Sequence, residues 1–255
     1  MKFYVGKTKE IMGLGSAKQA AKIINDAIAR QGYARILLST GASQFPFFEE
    51  FIKQDIDWER VEAFHLDEYV GISEEHPASF KRYLIDRFAS RVPLKEFHLI
   101  NGLTPPEETI AHLTALIKEK PIDVGLIGIG ENGHIAFNDP PANFNDEASY
   151  KVVTLDDRCL MQQVGEGWFK AKEEAYKQAI SMTCPEIMRC KAIISVVPYP
   201  VKAEAVYKTL TEELTPYVPA TLLKTHPDFT LWCDSDSASM LSEELLAKYG
   251  AELIG

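Results

Sequence analysis

Short apolar runs of strand length, separated by segments of helical periodicity, constrain this chain more than any other feature. The runs are Arg35 to Ser39, Val61 to Leu66, His98 to Ile100, Ile122 to Ile129, Ala192 to Val197 and Phe229 to Cys233. Between them, Ser16 to Arg30 carries Ala20, Ile23, Ile24, Ala27 and Ile28 at helical spacing, with Ser16 expected as N-cap and Gly32 just past the end. Further helices are expected over Phe45 to Ile52, Ser79 to Phe88, Pro106 to Lys118, Lys202 to Leu210 and Ser237 to Tyr249. The Ile122 to Ile129 run is apolar on both faces, as a strand covered on two sides must be. Parallel pairing needs a long crossover between strands, and helices supply it. The expected fold class is therefore α/β: a three-layer αβα sandwich around a mostly parallel sheet.

A chain of 255 residues with 46% hydrophobic content can bury a full core, and we expect one domain over residues 1–255. Within it, Asp156 to Lys177 is polar and charged and holds Gly165 and Gly167, which suits a lid over a site (156–177). No apolar run approaches the ~18 residues of a membrane span, and the first residues lack the pattern of a signal peptide, so no membrane partner and a cytoplasmic location are expected. Cys159, Cys184, Cys190 and Cys233 form no CxxC pair and no zinc-like spacing with histidine, so they read as reduced, packed thiols and neither metal nor disulfide is indicated. The 27 basic residues against 37 acidic ones leave a net charge of −10, and without a Lys/Arg cluster nucleic acid is excluded as a partner. A single phosphate is a different matter, since a few backbone amides and one lysine hold it locally.

In an open parallel sheet, ligands bind beyond the carboxyl ends of the strands. Three polar motifs fall there. Thr40-Gly41-Ala42-Ser43 leads into a helix, where unpaired amides and the dipole favour an anion; N-capping by Ser43 is the competing reading. It lacks the Gly-Lys-Ser/Thr of a nucleotide triphosphate loop. Asp67-Glu68 are adjacent acids at a strand end, of which one points into the crevice and is a candidate general base, while His65 just before them reads as a packed histidine. Gly128-Ile129-Gly130-Glu131-Asn132-Gly133-His134-Ile135-Ala136-Phe137-Asn138-Asp139-Pro140 places glycines, an imidazole and carboxylates after an apolar run, the makings of a proton-handling loop.

These motifs resemble the glucosamine-6-phosphate deaminase/isomerase family, related in fold to the 6-phosphogluconolactonases. The likeness spans most of the chain and rests on Ser39 to Ser43, on Phe64 to Gly71, on Gly128 to Pro140 and on Lys202-Ala203-Glu204-Ala205-Val206. Ile135-Ala136-Phe137-Asn138 is similar to the deaminase branch and not to the lactonases. The resemblance implies a Rossmann-like fold and an enzyme without cofactor or metal. Such an enzyme opens an amino-sugar 6-phosphate ring, isomerises aldose to ketose and releases ammonia, taking glucosamine 6-phosphate to fructose 6-phosphate.

Carried over by position, the resemblance makes Asp67 the base that moves a proton from C2 to C1 and His134 the group that handles the ring-oxygen proton. Asp139 then orients that imidazole, and Asn132 is a neutral amide that orients groups at the catalytic end but serves as no base. Thr40, Gly41, Ala42, Ser43 and Lys202 would hold the phosphate. Three departures from the family pattern stand out. The common Asn-Glu-Pro is Asn138-Asp139-Pro140; an arginine contributed by the lid is replaced near Gln162-Gln163, with Arg158 as a substitute; and Thr-Gly-Gly-Thr-Pro is Thr40-Gly41-Ala42-Ser43-Gln44. A sugar-phosphate lactonase, another hexose-phosphate isomerase and a catalytically weak sugar-phosphate sensor remain as alternatives. The allosteric positions of hexameric relatives find no match in Pro141 to Lys151, and the choice between monomer and homo-oligomer stays open.

Overall fold

The computed structural model describes residues 1–155, 160–161, 164–165, 167 and 169–255. In chain order the strands are β1 (Lys2–Gly6), β2 (Ala34–Leu38), β3 (Val61–His65), β4 (Asp67–Tyr69), β5 (Glu96–His98) and β6 (Val124–Leu126). They are followed by β7 (Tyr150–Thr154), β8 (Gln178–Met182), β9 (Ala192–Val197), β10 (Phe229–Asp234) and β11 (Glu252–Ile254). Eight of them form one sheet in the order β11-β1-β10-β9-β6-β2-β3-β5, with every neighbouring pair parallel. The chain moves outward from β2 through β3 to β5, then returns to the other side of β2 with β6 and moves outward again through β9 and β10. The order thus reverses between β2 and β6, where the two strand ends open a crevice.

Alternation along the central strands explains the three layers. Ile36 and Leu38 of β2, with Ile194 and Val196 of β9, face the helices α1 (Lys9–Gln31), α2 (Phe45–Phe51) and α3 (Phe80–Arg87). Leu37, Ile193 and Val197 face the opposite layer, which includes α4 (Pro106–Glu119) and the helix Ala203–Thr211. Both faces are buried, so both alternating sets are apolar.

Several boundaries differ from the sequence expectation. Helix α1 begins at Lys9 with Thr8 as N-cap, while Ser16 is buried in mid-helix and donates its hydroxyl to the Met12 and Gly13 carbonyls. Gly13 and Gly15 continue the helix because a Cβ at either would strike the Pro46 carbonyl or the Trp232 ring. The run Ile122 to Ile129 is a strand only over Val124–Leu126, since beyond it Gly128 N–H turns to the Ser39 hydroxyl at 3.0 Å. The C-terminal helix is confined to Glu243–Lys248, because the Asp234 and Ser237 side chains draw the preceding segment into turns.

A second, antiparallel sheet of order β4-β8-β7 was not anticipated, and Asp67-Glu68, expected in a loop, form its first strand. The chain switches sheets at Leu66, whose N–H goes to Leu38 O and whose carbonyl accepts from Met182 N. In the segment expected as a lid, Leu160, Phe169 and Ala175 are buried with Tyr69 and Phe137 against this small sheet. Arg158, Gln162 and Gln163 lie outside the described residues, as does Cys159. The other three cysteines are free and buried, and burial pushes the thiols of Cys184 and Cys233 up to about 12, which keeps them protonated. Among the described residues no helix is long and apolar enough to cross a membrane.

Candidate active site

A cavity of about 230 Å³ opens at the switch point, and all three motif loops reach it. Its wall takes Thr40 to Ser43 from the end of β2, Asp67 from β4, and Gly128 to Glu131 with His134 from the loop after β6. Lys202 completes the set from the turn after β9. Parallel strands bring their carboxyl ends to one rim, which is why residues up to 163 positions apart meet here.

The adjacent acids are divided by strand alternation. Asp67 faces the cavity, and among the described residues no donor reaches its carboxylate. Burial first, and the neighbouring Glu68 charge second, raise its pKa to about 8. Glu68 points the other way, into the start of α3. There it accepts from Ser79 Oγ (2.8 Å), Lys81 N (2.8 Å), Phe80 N (3.2 Å) and its own neighbour Tyr69 N (3.0 Å). Burial raises its pKa too, but these four donors and the helix N-terminus oppose that shift. One carboxylate is therefore bound into the fold, and the other faces the cavity. His65 is packed as expected: its Nε2 accepts from Ile100 N at 2.8 Å, and complete burial lowers its pKa to about 3, so it stays neutral.

His134 stands over Gly130, where any Cβ would overlap its Nε2. Behind the ring, Nδ1 lies 3.0 Å from Asp139 Oδ1, an ion-pair contact whose direction is not that of an aligned hydrogen bond. Asn132 does not line the cavity. Its Nδ2 donates to Asp139 Oδ1 (3.0 Å), and its Oδ1 accepts from His134 N (3.0 Å). Asn132 and Asp139 thus hold the imidazole from outside, and the shorter aspartate still reaches it. The following residues are anchored by Phe137 N to Ser181 Oγ and by Asn138 Nδ2 to the Ile135 and Met182 carbonyls. Ala136, which lines the cavity, is held at a positive φ of 51°.

The Thr40 to Ser43 part of the cavity wall is a backbone structure. Gly41 adopts φ 98° and ψ 162°, a conformation that favours glycine, and Tyr83 fixes it by donating to the Gly41 carbonyl at 2.8 Å. A 3-10 turn (Ala42–Gln44) leads into α2, and no side chain caps either start, so the expected alternative of N-capping by Ser43 is not what forms. Gln44 Nε2 ties the turn to Val196 O at 3.1 Å. Lys202, only 9% exposed, adds the one lysine of this wall among the described residues.

Sequence reasoning missed Tyr199. It lines the cavity beside Lys202 in a conformation (φ 81°, ψ 148°) that costs a residue with a side chain on the order of 1–3 kcal/mol. Asp234, buried at the end of β10, holds it there by accepting Tyr199 N at 3.1 and 3.2 Å while also taking Ser237 N at 2.8 Å. The position of Asp234 at a strand's carboxyl end was a usable signal; nothing in the sequence marked the backbone of Tyr199. Phe80 also lines the cavity without having been expected there, and Ser39, Glu131 and Phe137 line it without having been given a role.

A parallel sheet whose switch point joins a buried acid, a braced imidazole, a glycine-bearing turn and a lysine in one cavity is the architecture of an α/β enzyme. The chain belongs to the glucosamine-6-phosphate isomerase/6-phosphogluconolactonase family, whose model matches residues 7–232. It is 33% identical over 236 residues to a glucosamine-6-phosphate deaminase of Thermoanaerobacter pseudethanolicus, covering 89% of this chain and 92% of that one. It is 34% identical over 229 residues to that of Listeria innocua, covering 89% and 96%. A monomeric glucosamine-6-phosphate deaminase of solved structure superposes with a TM-score of 0.85 at 27% identity, over 94% of this chain and all of that one. The 6-phosphogluconolactonase of Trypanosoma brucei (TM-score 0.78, 14% identity, 94% and 98% covered) shares the fold.

Proposed function

We propose that this protein converts glucosamine 6-phosphate into fructose 6-phosphate and ammonia, by aldose–ketose isomerisation coupled to loss of the amine. The observation that carries the reading is Asp67: a buried carboxyl that meets no donor among the described residues and faces a cavity walled also by His134, the Thr40 to Ser43 turn and Lys202. A general base works best with a pKa near the working pH, and burial brings Asp67 to about 8. A substrate carrying an ammonium at C2 then favours the ionised form, so binding itself readies the base.

His134 takes and returns the ring-oxygen proton as the sugar opens. Asp67 removes the C2 proton and delivers it to C1, leaving a carbon–nitrogen double bond at C2; water adds there and ammonia departs, which makes the net reaction a hydrolysis as well as an isomerisation. Asp139 and Asn132 keep the imidazole in place, and the Thr40 to Ser43 amides with Lys202 hold the phosphate. Sugar phosphates are held inside the cell, so the proposed place of work is the cytoplasm.

Ammonia release from a panel of hexosamine 6-phosphates tests this, with 6-phosphogluconolactone hydrolysis measured alongside. Turnover is expected on glucosamine 6-phosphate and not on the lactone. Lactone hydrolysis alone, or calorimetric binding of the amino sugar without turnover at high enzyme concentration, would overturn it.

A further inference from the structure

Tyr199 occupies a backbone region that glycine enters freely and a tyrosine enters only when its surroundings hold it there. The hold is visible. The Asp234 carboxylate accepts Tyr199 N, the Tyr199 carbonyl accepts Lys202 N at 3.0 Å, and Pro200 follows at once to start the turn that delivers Lys202. A glycine would meet the backbone demand without strain, so the side chain has a use that offsets the cost. Tyr199 lines the cavity together with Val201 and Lys202. Outside the cavity, the Lys9 ammonium at the start of α1 stands 5.2 Å from the centre of the Tyr199 ring, within cation–π range.

Resting on the proposed sugar-phosphate reading, we propose that Tyr199 is a specificity-determining residue of the phosphate end. Its ring forms the wall beside Lys202 and carries the Lys9 charge against the site as a second cation. The strain and the placement then have one explanation. The wall keeps water from the bound dianion, which strengthens its attraction to Lys202, and Lys9 adds to the field without entering the cavity. A ligand without a terminal phosphate gains nothing from this wall.

The test uses calorimetric binding of inorganic phosphate and of glucosamine 6-phosphate, with ammonia release measured separately. Tyr199→Gly relieves the backbone and removes the ring; it should melt no lower than the wild type, yet bind both ligands about tenfold more weakly, with KM raised and kcat within about twofold. Tyr199→Phe keeps the ring and should stay within about twofold of the wild type in both ligands. Lys9→Met should weaken binding about twofold to threefold in the wild type and have no effect in the Tyr199→Gly background.

Phosphate binding unchanged in Tyr199→Gly overturns the proposal, as does a Tyr199→Phe variant that falls as far as Tyr199→Gly. A lowered melting temperature with unchanged affinity reduces Tyr199 to a structural part and overturns it as well. Phosphate binding without ammonia release refutes only the proposed reaction, and the binding arms still decide the role of Tyr199. A wild type that binds no phosphate and no sugar phosphate overturns both.

Discussion

In one part of the cavity wall Asp67 is a side chain whose protonation is set by its burial; in another, the Thr40 to Ser43 loop and the Tyr199 turn are shaped largely by backbone geometry. The acid–base end is made by withholding partners. Asp67 sits one residue from Glu68, and the difference between them is that four donors converge on Glu68 and none among the described residues on Asp67. The anion end is made by supplying constraints: Tyr83 on Gly41, Gln44 on Val196, Asp234 on Tyr199. A group that must change its charge needs an environment that leaves both states within reach, whereas a group that must hold a constant charge in place needs a rigid frame.

The sharpest way to break this contrast is at Asp67. Asp67→Asn keeps the shape and removes the base, so kcat is expected to fall about 10³-fold with KM little changed, measured by ammonia release. A KM effect of that size instead would place Asp67 in binding. Next in size is the pH profile. Below its raised pKa of about 8 the free enzyme holds Asp67 protonated, so kcat/KM should drop as pH falls, about tenfold per unit. The corresponding limb in kcat should lie at lower pH, because the bound ammonium favours the carboxylate. Coincident limbs would contradict that account.

At the opposite end, Lys202→Met should raise KM about 10- to 100-fold while kcat falls far less, since a fixed cation on a non-reacting phosphate contributes mainly uniform binding. The smallest effect is expected at the brace. Asp139→Asn should lower kcat about tenfold by weakening the ion-pair contact with His134, and Asp139→Glu should restore most of it. Unchanged turnover in both variants would remove Asp139 from the mechanism.

Much of this was legible in the residues. Apolar runs at β2, β3, β6, β9 and β10 announced the parallel sheet, and the rule that ligands collect at its carboxyl rim was enough to bring Thr40 to Ser43, Asp67 and His134 together. The small antiparallel sheet was not legible, because β7 and β8 flank a polar segment and β8 also pairs with a three-residue strand whose sequence, Asp67-Glu68-Tyr69, looks like a loop. The N-cap of α1 is Thr8 and not the expected Ser16, and Gly13 and Gly15 lie inside the helix, packed against Pro46 and Trp232. Asn132 and Asp139 share one run of sequence with His134, yet only their contacts show that they brace it without lining the cavity.

By itself the sequence determined which groups would meet, since periodicity sets the strands, parallel pairing sets their direction, and direction decides which loops share a rim. Only the tertiary structure decided what state those groups are in. The pKa of Asp67 depends on desolvation by residues brought in from other strands, and the backbone of Tyr199 depends on a carboxylate 35 positions away. Burial and strain belong to the packed arrangement, so no local pattern of residues encodes them.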